Sequence, residues 1–501
     1  MTQPAEPSPY SSPLQIGPPA LWVARFGLPV GGGLLDSGTH QQADYADVDV
    51  LALHPAEVLC REQGEQSELL KLFDGWQSRP FLNENGEMIS ARAWFKLSQE
   101  LDLPLPLTLC ALSYELGSEN LNVPPSEMST SGPRLWAARY PAVYLWDRRA
   151  QKGVVVGVGP TSVEALIEAI TSPLREERSS GEYPHARVKG NPWLKRGQAL
   201  TTGPLLPRVS WLQYQDMIQK AQFLFSIGEV YQLNLTIPME TRLIDGVTPE
   251  EVFTRLREVN SGQFGALFVI DDQRSILSLS PERLVSWGRR RGDVSTQKWV
   301  ETAPIKGTRP RFDDPQEDER AREELLKSVK DRAEHVMILD LERNDLVKIC
   351  EMGSVEVIQQ REVKTYPTVH HLVSVVRGKL REEIWLSDLL NAVFPGGSVT
   401  GAPKLRALQH IQQLESGPRG VYCGALGYLD PMGGGDLNLP IRTAFLEGQR
   451  LIYHAGGGIV ADSTATEEWE ELWVKTRGIM RGLGLDDQSI PTGTCVHGES
   501  E

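Results

Sequence analysis

Two pairs of acidic residues could bind a metal ion, because the members of each pair are three positions apart. Asp331 and Glu334 precede the apolar run VMILDL, and Glu468 and Glu471 lie in the segment TEEWEELW. Three positions are close to one helical turn, so each pair would present both carboxylates on one helix face. Two such helices that meet could hold Mg²⁺, which binds few carboxylates together with waters and substrate oxygens. Taken alone, such a pair is more often a solvated acidic face.

Two glycine-rich segments could bind an anion through backbone amides. The segment FPGGSVTGAPKLRALQHIQQLESG leads from a turn into a predicted helix with Pro403 near its first turn. Small residues and a helix N-terminus favour a carboxylate or phosphate near Thr400 and Gly401. Gly456 to Gly458 follow a predicted strand and could also present amides. A tight turn explains the first segment and a β-bulge the second about equally well.

Three single residues could complete a catalytic site. Arg442 alternates with apolar neighbours on the predicted strand NLPIRTAFLE, where its guanidinium would match a substrate carboxylate. Lys306 in TAPIKGTRPR lies between a proline-containing apolar stretch and a glycine, and a desolvated lysine becomes a nucleophile. Glu282 in LSLSPERL could serve as a general acid. The ordinary alternatives are a surface cation for Lys306 and a surface turn for Glu282.

The elements that must position these residues can be predicted from caps and periodicity. Asp314, Pro315 and Glu317 form a capping-box start, which predicts one long helix through the first acidic pair. An amphipathic helix is predicted to end at Gly228, and a terminal helix to begin near Thr466. Between them, VYCGALGYLD, DLNLPIRTAFLE and RLIYHAGGG predict one antiparallel meander.

Composition divides the chain into five parts. Its start is rich in Pro and Ser, and the stretch after residue 170 is charged and lacks periodicity. The predicted parts are a flexible tail (1–20), an N-terminal α+β region (21–170), a linker or surface excursion (171–208), a catalytic region (209–486) and a flexible tail (487–501).

The charge balance excludes some partners. The chain has 51 Lys and Arg against 66 Asp and Glu, a net charge of −15, which argues against nucleic acid. No apolar run approaches the roughly 20 residues that cross a bilayer, and no signal peptide is visible. We therefore expect a cytoplasmic protein with no membrane partner. Its five scattered cysteines lack a CxxC pair and should be free, mostly buried thiols.

Read in order, seven motifs resemble the chorismate-utilising enzymes, which act on chorismate with magnesium. The resemblance covers about residues 210 to 485 and implies an α+β fold of two facing antiparallel β-sheets, with helices outside and the active site between the sheets. The motifs are LSLSPERL, PIKGTRPR, EHVMILDLERNDL, HHLVS, PGGSVTGAPK, GALGYLD followed by DLNLPIRTA, and HAGGGIVADS followed by EEWEE.

The resemblance also implies roles for residues inside the motifs. Glu334 and Glu471 would bind Mg²⁺ directly, with Asp331 and Glu468 in support through water. His371 would face the substrate ring. The residues implied to bind the substrate, mainly through its carboxylates, are Thr400, Gly401, Tyr428, Arg442, Gly456, Gly458 and Gln232.

Two positions resemble the branch of the family that makes 4-amino-4-deoxychorismate, a precursor of 4-aminobenzoate and folate. That branch has a lysine at the position of Lys306 in this sequence, where the anthranilate-forming branch usually has alanine. Gln232 stands where the isochorismate-forming branch carries a lysine that activates water. The implied reaction begins with addition of Lys306 to ring carbon C2 while Glu282 protonates the departing C4 hydroxyl. Ammonia then adds at C4 and expels the lysine; anthranilate formation is the alternative.

The resemblance implies a second subunit and raises the question of a second ligand. No Cys lies in a GxCxG context, so ammonia is expected from a separate glutamine amidotransferase subunit in a heterodimer. The segment GGLLDSG is similar to the one in which the family binds tryptophan, with Ser37 as a possible contact. The family's second tryptophan element, an Asn-Pro-x-Pro-Tyr run, is replaced here by NSGQF at 260–264, which leaves tryptophan binding open.

Overall fold

The computed structural model describes residues 7–37, 48–119, 132–180, 198–260, 262–289, 297–366 and 369–485, with side chains except those of 174–180 and 330. The strands are β1 (Tyr10–Pro13), β2 (Gly33–Asp36), β3 (Val48–Ala52), β4 (Glu57–Arg61), β5 (Thr108–Leu112), β6 (Leu135–Arg139), β7 (Ala142–Asp147), β8 (Lys152–Gly157), β9 (Leu206–Pro207), β10 (Gln232–Arg242), β11 (Phe264–Val269), β12 (Arg274–Ser280), β13 (Arg283–Gly288), β14 (Trp299–Ala303), β15 (Ile305–Pro310), β16 (Glu356–Thr365), β17 (Val369–Lys379), β18 (Gly401–Ala402), β19 (Ala425–Leu429), β20 (Gly435–Asn438), β21 (Thr443–Glu447) and β22 (Arg450–Ile459).

Helices connect and cover these strands. They are α1 (Pro19–Phe26), α2 (Gln66–Gln77), α3 (Ala91–Leu101), α4 (Tyr114–Ser118), α5 (Pro160–Ser180), α6 (Trp211–Ser226), α7 (Pro249–Val259), α8 (Pro315–Lys327), α9 (Val329–Val347), α10 (Leu386–Val393), α11 (Lys404–Leu414) and α12 (Ala465–Gly482).

Two antiparallel sheets contain the described strands, and both halves of the chain contribute to each. The first sheet has the order β1-β8-β7-β3-β2-β11-β12-β21-β22-β10-β18, with β9 also paired to β10. The second has the order β15-β17-β14-β13-β20-β19-β5-β6-β4, with β16 also paired to β17. Leu34 pairs with Leu267 in the first sheet, and Cys110 with Gly427 in the second. The N-terminal region is therefore part of the same two sheets as the catalytic region.

The two sheets face each other across an apolar layer of buried side chains. Trp136 of β6 lies against Phe268 of β11, with ring centroids 5.2 Å apart. A side chain on Gly33 of β2 would collide with Leu109 of β5, so the sheets approach closely there. Separate apolar clusters lie under the helices, one against each outer sheet face. The predicted α+β fold, with two facing antiparallel sheets and helices outside, is confirmed.

The predicted tail and linker are shorter than composition suggested. Residues 10–13, placed in the tail, form a strand that pairs along its whole length with residues 154–157 of β8. The predicted linker begins inside α5, which continues to Ser180, and ends in β9, which pairs with β10. The rest of that linker, 181–197, and the C-terminal tail lie outside the described residues.

The predicted single helix from Asp314 is wrong, because Ser328 divides it. Asp314 does cap α8, accepting a hydrogen bond from the Gln316 amide at 3.1 Å. Ser328 then takes an extended ψ of 116° and accepts from the Asp331 amide at 3.1 Å. A serine that caps the next helix stops the previous one at a residue where sequence alone shows no break. The predicted end of α6 near Gly228 is confirmed by that residue's φ of 74°.

The predicted C-terminal meander is two hairpins in different sheets. Strands β19 and β20 pair in the second sheet, whereas β21 and β22 pair in the first. The chain crosses between the sheets over residues 439–442, and the predicted strand DLNLPIRTAFLE is broken there. The crossing brings residues of both sheets together at one place. The terminal helix is confirmed as α12.

Two composition-based predictions can be compared with the structure. Across the ranges given above, no helix combines the length and apolar character needed to span a bilayer. Cys110, Cys350 and Cys423 are free and buried and Cys60 is free and half-buried, as predicted, while Cys495 lies outside the described residues.

Replacing Trp136 with alanine should lower the free energy of unfolding by about 3–5 kcal/mol, because it opens a cavity between the sheets. Trp385→Ala is the matched control, since that side chain is 61% exposed, and should change the value by less than about 0.5 kcal/mol. Denaturant unfolding followed by circular dichroism measures both. Equal losses would contradict the placement of Trp136 at the sheet interface.

Candidate active site

Lys306 lies on β15 at the edge of the second sheet and points inward. Its Nζ donates a hydrogen bond to the Ser398 carbonyl oxygen at 3.0 Å. Burial lowers the pKa of Lys306, and the charge of Lys475 acts in the same direction. Glu282, Glu334 and Glu471 raise that pKa, so all three carboxylates lie near the amine. The interpretation of Lys306 as a desolvated lysine is supported, and the alternative of a surface cation is wrong.

Glu282 is the acid beside this lysine. It lies in the turn between β12 and β13, is 5% exposed, and accepts a hydrogen bond from the Ile305 amide at 3.5 Å. Burial raises the pKa of its carboxyl, while Ser398 and Lys306 lower it. Ser398 thus contacts both residues, the lysine through its carbonyl and the acid through its side chain. Sequence reasoning missed Ser398, although it lies inside the motif PGGSVTGAPK.

The glycine-rich segment forms a closed loop that carries Ser398. Thr400 is fully buried, and its Oγ1 donates to the carbonyl oxygens of Gly396 and Gly397 at 3.0 and 3.2 Å. Gly401 has a φ of 144°, and a Cβ there would lie 2.1 Å from the Gln232 carbonyl oxygen. The hydrogen bonds of Thr400 and the backbone conformation of Gly401 therefore fit a tight turn that pairs with β10. The α-helix α11 starts only after this turn.

Gln232, at the start of β10, has an unsatisfied buried side chain. It is 1% exposed, and in the described part of the chain neither Oε1 nor Nε2 has a hydrogen-bond partner. A Cβ on Gly458 would lie 2.3 Å from Nε2, so only glycine leaves room for the amide. An unmet buried amide costs about 1–3 kcal/mol, which indicates that a polar ligand completes it.

The strand segment Gly456 to Gly458 forms a glycine ribbon. Three polar side chains of α12 converge on the side of this ribbon opposite Gln232. A Cβ on Gly457 would lie 3.2 Å from Glu468 Oε2, 3.4 Å from Lys475 Nζ and 3.8 Å from Glu471 Oε1. Lys475 lies 2.7 Å from Glu471 and donates to the Gly456 carbonyl oxygen at 3.0 Å. Ser463 donates to Glu468 Oε1 at 2.6 Å. Sequence reasoning missed Lys475, which its position four residues after Glu471 could have indicated.

Two of the four acids predicted to bind Mg²⁺ lie beside Lys306. Glu334 of α9 and Glu471 of α12 both act on Lys306, so the two helices meet at this lysine. Asp331 is ion-paired with Arg309 at 3.0 Å. Over the described ranges, no three His, Cys, Asp or Glu side chains form a metal cage. Two carboxylates suffice for Mg²⁺ when waters and substrate oxygens complete its shell, so the residues fit an ion that binds with substrate.

Arg442 and His371 lie where the chain crosses between the sheets. The prediction that Arg442 lies on a strand is wrong: it is between β20 and β21 with a φ of 51°. Burial lowers the pKa of Arg442, and in the described part no carboxylate pairs with its guanidinium. His371 Nδ1 is 2.8 Å from Thr308 Oγ1, and burial, followed by the charge of Arg442, lowers its pKa to about 3. A neutral histidine beside an unpaired arginine suits an anionic ligand.

Tyr428 is not part of this site. It lies on β19 and lines a cavity of about 500 Å³ that includes Ser37 but neither Lys306 nor Glu282. The prediction that Tyr428 binds the same substrate is therefore wrong, because the strand turns its side chain to the other cavity. Six residues earlier, Tyr422 is buried and stacks on His454 at 5.3 Å. Sequence reasoning missed this pair.

The second cavity is built around ion pairs. The Ser37 amide donates to Asp49 Oδ1 at 2.8 Å. Arg148 contacts both Asp36 and Asp49, at 3.1 and 2.7 Å. Burial and then the charge of Asp36 raise the pKa of Asp49 to about 6. Tryptophan binding at Ser37 stays a prediction.

A desolvated lysine, a buried acid and an unpaired arginine between two antiparallel sheets define an enzyme site for a small anionic substrate. The chain belongs to the chorismate binding enzyme family, which matches residues 34–481.

Curated relatives include aminodeoxychorismate synthases and anthranilate synthases. Aminodeoxychorismate synthase component 1 of Escherichia coli K12 is 41% identical over 273 residues, 54% of this chain and 57% of the relative. Its Klebsiella aerogenes counterpart is 41% identical over 319 residues, 62% and 67% of the two chains. Anthranilate synthase component 1 of Haloarcula marismortui is 34% identical over 390 residues, 77% of each. The match thus spans little more than half of the E. coli relative.

Solved structures share the fold. Anthranilate synthase component I from Streptococcus pneumoniae TIGR4 superposes with a TM-score of 0.66 at 27% identity, covering 88% of this chain and 94% of that one. MenF, the menaquinone-specific isochorismate synthase of E. coli, gives a TM-score of 0.64 at 17% identity, covering 96% of each chain. The second likeness shows the fold alone.

Gly401→Ala should lower the free energy of unfolding by at least about 1–3 kcal/mol, because the new Cβ meets the Gln232 carbonyl and φ is unfavourable. Gly203→Ala is the control, since nothing lies within 4 Å of a Cβ there. Thermal unfolding of the two variants checks this. Similar melting temperatures would show that the loop relaxes and that glycine is not required.

Proposed function

We propose that the protein is an aminodeoxychorismate synthase, which aminates chorismate to 4-amino-4-deoxychorismate for 4-aminobenzoate and folate biosynthesis. The observation that carries the proposal is the buried Lys306 beside Glu282, with Ser398 in contact with both. A lysine at this position distinguishes the proposed reaction from anthranilate formation. Three curated relatives from enteric bacteria have the same name.

The site's cations suit chorismate, which carries two carboxylates. The whole chain has a net charge of −15, so binding a dianion requires a local positive field. Arg442 can donate two parallel hydrogen bonds to one carboxylate. Lys475 adds charge, and the amides of the Gly456 to Gly458 ribbon can add donors.

The first half-reaction uses Lys306 and Glu282. The neutral amine of Lys306 adds to C2 of the ring, the two ring double bonds shift, and the C4–O bond breaks. Glu282 gives its proton to the leaving hydroxyl, which departs as water. Burial supports both roles, because it favours the neutral amine and the protonated carboxyl.

The second half-reaction uses ammonia. Ammonia adds at C4, the double bonds return, and the C2–N bond to Lys306 breaks. The new C4 ammonium gives a proton to Glu282, which restores the acid. The amine and the acid therefore end each cycle as they began it, with ammonia consumed and water released.

Magnesium is part of the proposal. Glu334 and Glu471 would hold Mg²⁺, with Asp331 and Glu468 in support, and the ion would neutralise a substrate carboxylate. Lys475 contacts Glu471 and so lies beside that position.

Gln232 supports ammonia over water as nucleophile. Its amide cannot act as a base, whereas the isochorismate-forming branch has a lysine there. The free oxygen and nitrogen of its side chain can orient ammonia against C4.

We propose that ammonia comes from a separate glutamine amidotransferase subunit. The designation "component 1" of several relatives supports a second component. Chorismate, Mg²⁺ and ammonium should therefore give product with this chain alone, and glutamine should not.

Product analysis tests the function. Chromatography after incubation with chorismate, Mg²⁺ and ammonium should show 4-amino-4-deoxychorismate, and Lys306→Ala should lower its rate at least about 100-fold with substrate affinity kept. Lys220→Ala, on an exposed α6 lysine, should leave the rate unchanged. Anthranilate as the wild-type product would refute the proposal in favour of the alternative branch. An unchanged rate in Lys306→Ala would remove the lysine from the mechanism.

Glu471→Gln should lower activity at least about 100-fold and weaken its dependence on Mg²⁺, because one ligand oxygen loses its charge. Glu470→Gln alters the exposed neighbour on the same helix and should have little effect. Initial rates against Mg²⁺ concentration measure both. Full wild-type turnover in excess chelator would contradict the metal assignment.

A further inference from the structure

Two buried polar groups near Glu282 have no role in the mechanism above. Glu342 lies on α9 and Thr302 on β14. In the described part of the chain, Glu342 Oε2 and Thr302 Oγ1 are both buried without a hydrogen-bond partner. The Thr302 hydroxyl nevertheless faces the Glu342 carboxyl closely enough to lower its pKa. Unmet polar atoms of this kind are rare in folded proteins unless they serve a ligand or a proton.

The fold places this cluster under the catalytic loop. Leu341, next to Glu342, packs against Gly397, where a Cβ would lie 2.7 Å from its side chain. Helix α9 therefore lies directly below the loop that carries Ser398. On the neighbouring strands, Arg283 pairs with Ala303, which sets Glu282 and Thr302 on adjacent segments. Glu282, the acid of the mechanism, and Glu342 thus lie in one cluster.

The charges around the two carboxyls differ. Burial, together with the charges of Glu282 and Asp345, raises the pKa of Glu342 to about 8, while the Thr302 hydroxyl and the charge of Lys404 act in the opposite direction. Lys404 is itself paired with Asp345 at 2.5 Å.

Around Glu282, burial also raises the pKa, but Ser398, Lys306 and the Ile305 amide lower it. Cys423 is also in electrostatic contact with Glu282. Among the described residues, Lys404 is the cation that acts on Glu342, and it is already paired with Asp345, so a proton held by the two acids at neutral pH rests on Glu342.

We propose that Glu342 is a proton reserve for Glu282, a second carboxyl that shares one proton with the acid of the mechanism. This inference rests on the function proposed above. The proton moves from Glu342 to Glu282, then to the C4 hydroxyl, which leaves as water. After ammonia adds, the C4 ammonium returns a proton to Glu282 and from there to Glu342. Glu342 touches no reacting atom and acts only through Glu282.

The consequence is a wider pH range. A lone Glu282 would lose its proton as the pH passes its own pKa, and the first half-reaction would stop. With Glu342 beside it, the pair keeps one proton until the pH passes about 8. The alkaline limb of the rate profile therefore belongs to the pair in the wild type and to Glu282 alone when Glu342 is replaced.

The test compares rates of the wild type and Glu342→Gln from about pH 6 to about pH 9, with chorismate, Mg²⁺ and ammonium. The ratio of the two rates at each pH cancels the ionisation of ammonia. We expect the variant's relative rate to fall about tenfold or more between the acidic end and about pH 8. Asp340→Asn, an exposed acid of α9 with 68% of its side chain accessible, should give a constant ratio. A constant ratio for Glu342→Gln would overturn the proposal, because a structural role changes the rate equally at every pH.

A second readout needs no turnover. Infrared difference spectra of the wild type should show the carbonyl band of a protonated carboxylic acid that disappears near pH 8 and is absent in Glu342→Gln. Thr302→Val keeps both acids and should move this midpoint to higher pH, because the hydroxyl lowers the pKa of Glu342. A midpoint unchanged by Thr302→Val, or no such band, would overturn the inference even if Glu342→Gln fails to fold.

The two proposals can fail separately. Anthranilate as product, with the band and the pH-dependent ratio present, would refute the proposed product and leave the proton reserve standing. Formation of the aminated product, with neither the infrared band nor the pH-dependent ratio, would support the proposed product and refute the proton reserve.

Discussion

A buried ion pair between Arg419 and Glu415 holds the two walls of the site together. Its atoms are 2.7 Å apart and both side chains are almost fully enclosed. The same guanidinium donates to the Val399 carbonyl oxygen at 2.8 Å and to the Asn234 carbonyl oxygen at 2.6 Å. It therefore joins the catalytic loop to β10 through backbone atoms. Removing one partner would leave a buried charge uncompensated, which costs several kcal/mol.

The Arg419–Glu415 pair fixes the groups of the site relative to one another. The loop beside Arg419 carries Ser398, whose carbonyl and side chain set the distance between the amine and the acid. Strand β10 begins with Gln232 and borders the glycine ribbon. Because these groups are fixed by backbone contacts, the pocket does not depend on the charges of the surface. Lys306 and Lys475 lie among carboxylates, whereas no carboxylate pairs with Arg442 in the described part of the chain, so Arg442 is the cation available to an anionic ligand.

Short motifs predicted the local chemistry better than the long-range geometry. Lys306, Glu282, Glu334 and Glu471 were predicted because each lies in one of the seven family motifs; the structure brings the four together, and their roles stay predictions. Arg442 was misplaced on a strand because a chain that changes sheets has the same apolar pattern as one that continues.

The other wrong or missing predictions also concern long-range geometry. Tyr428 was assigned to the wrong cavity. The alternation of residues along a strand predicts the sheet face on which a side chain lies, but not which cavity that face borders. Ser398 contributes a carbonyl oxygen, which no residue type reveals. The facing sheets were predictable from the motifs, whereas the N-terminal strand Tyr10–Pro13 is stabilised by a partner more than 140 positions away.

The strand order also constrains how the chain folds. Hairpin β21–β22 lies between β12 and β10 in the first sheet, although it is the last part of that sheet to be synthesised. Until residues 443–459 emerge, β12 and β10 each have an unpaired edge, and such edges pair readily with other chains. Pairings so distant in sequence also form slowly. The first sheet therefore remains open until residues 443–459 have emerged, and during that time both of its unpaired edges are available to other chains.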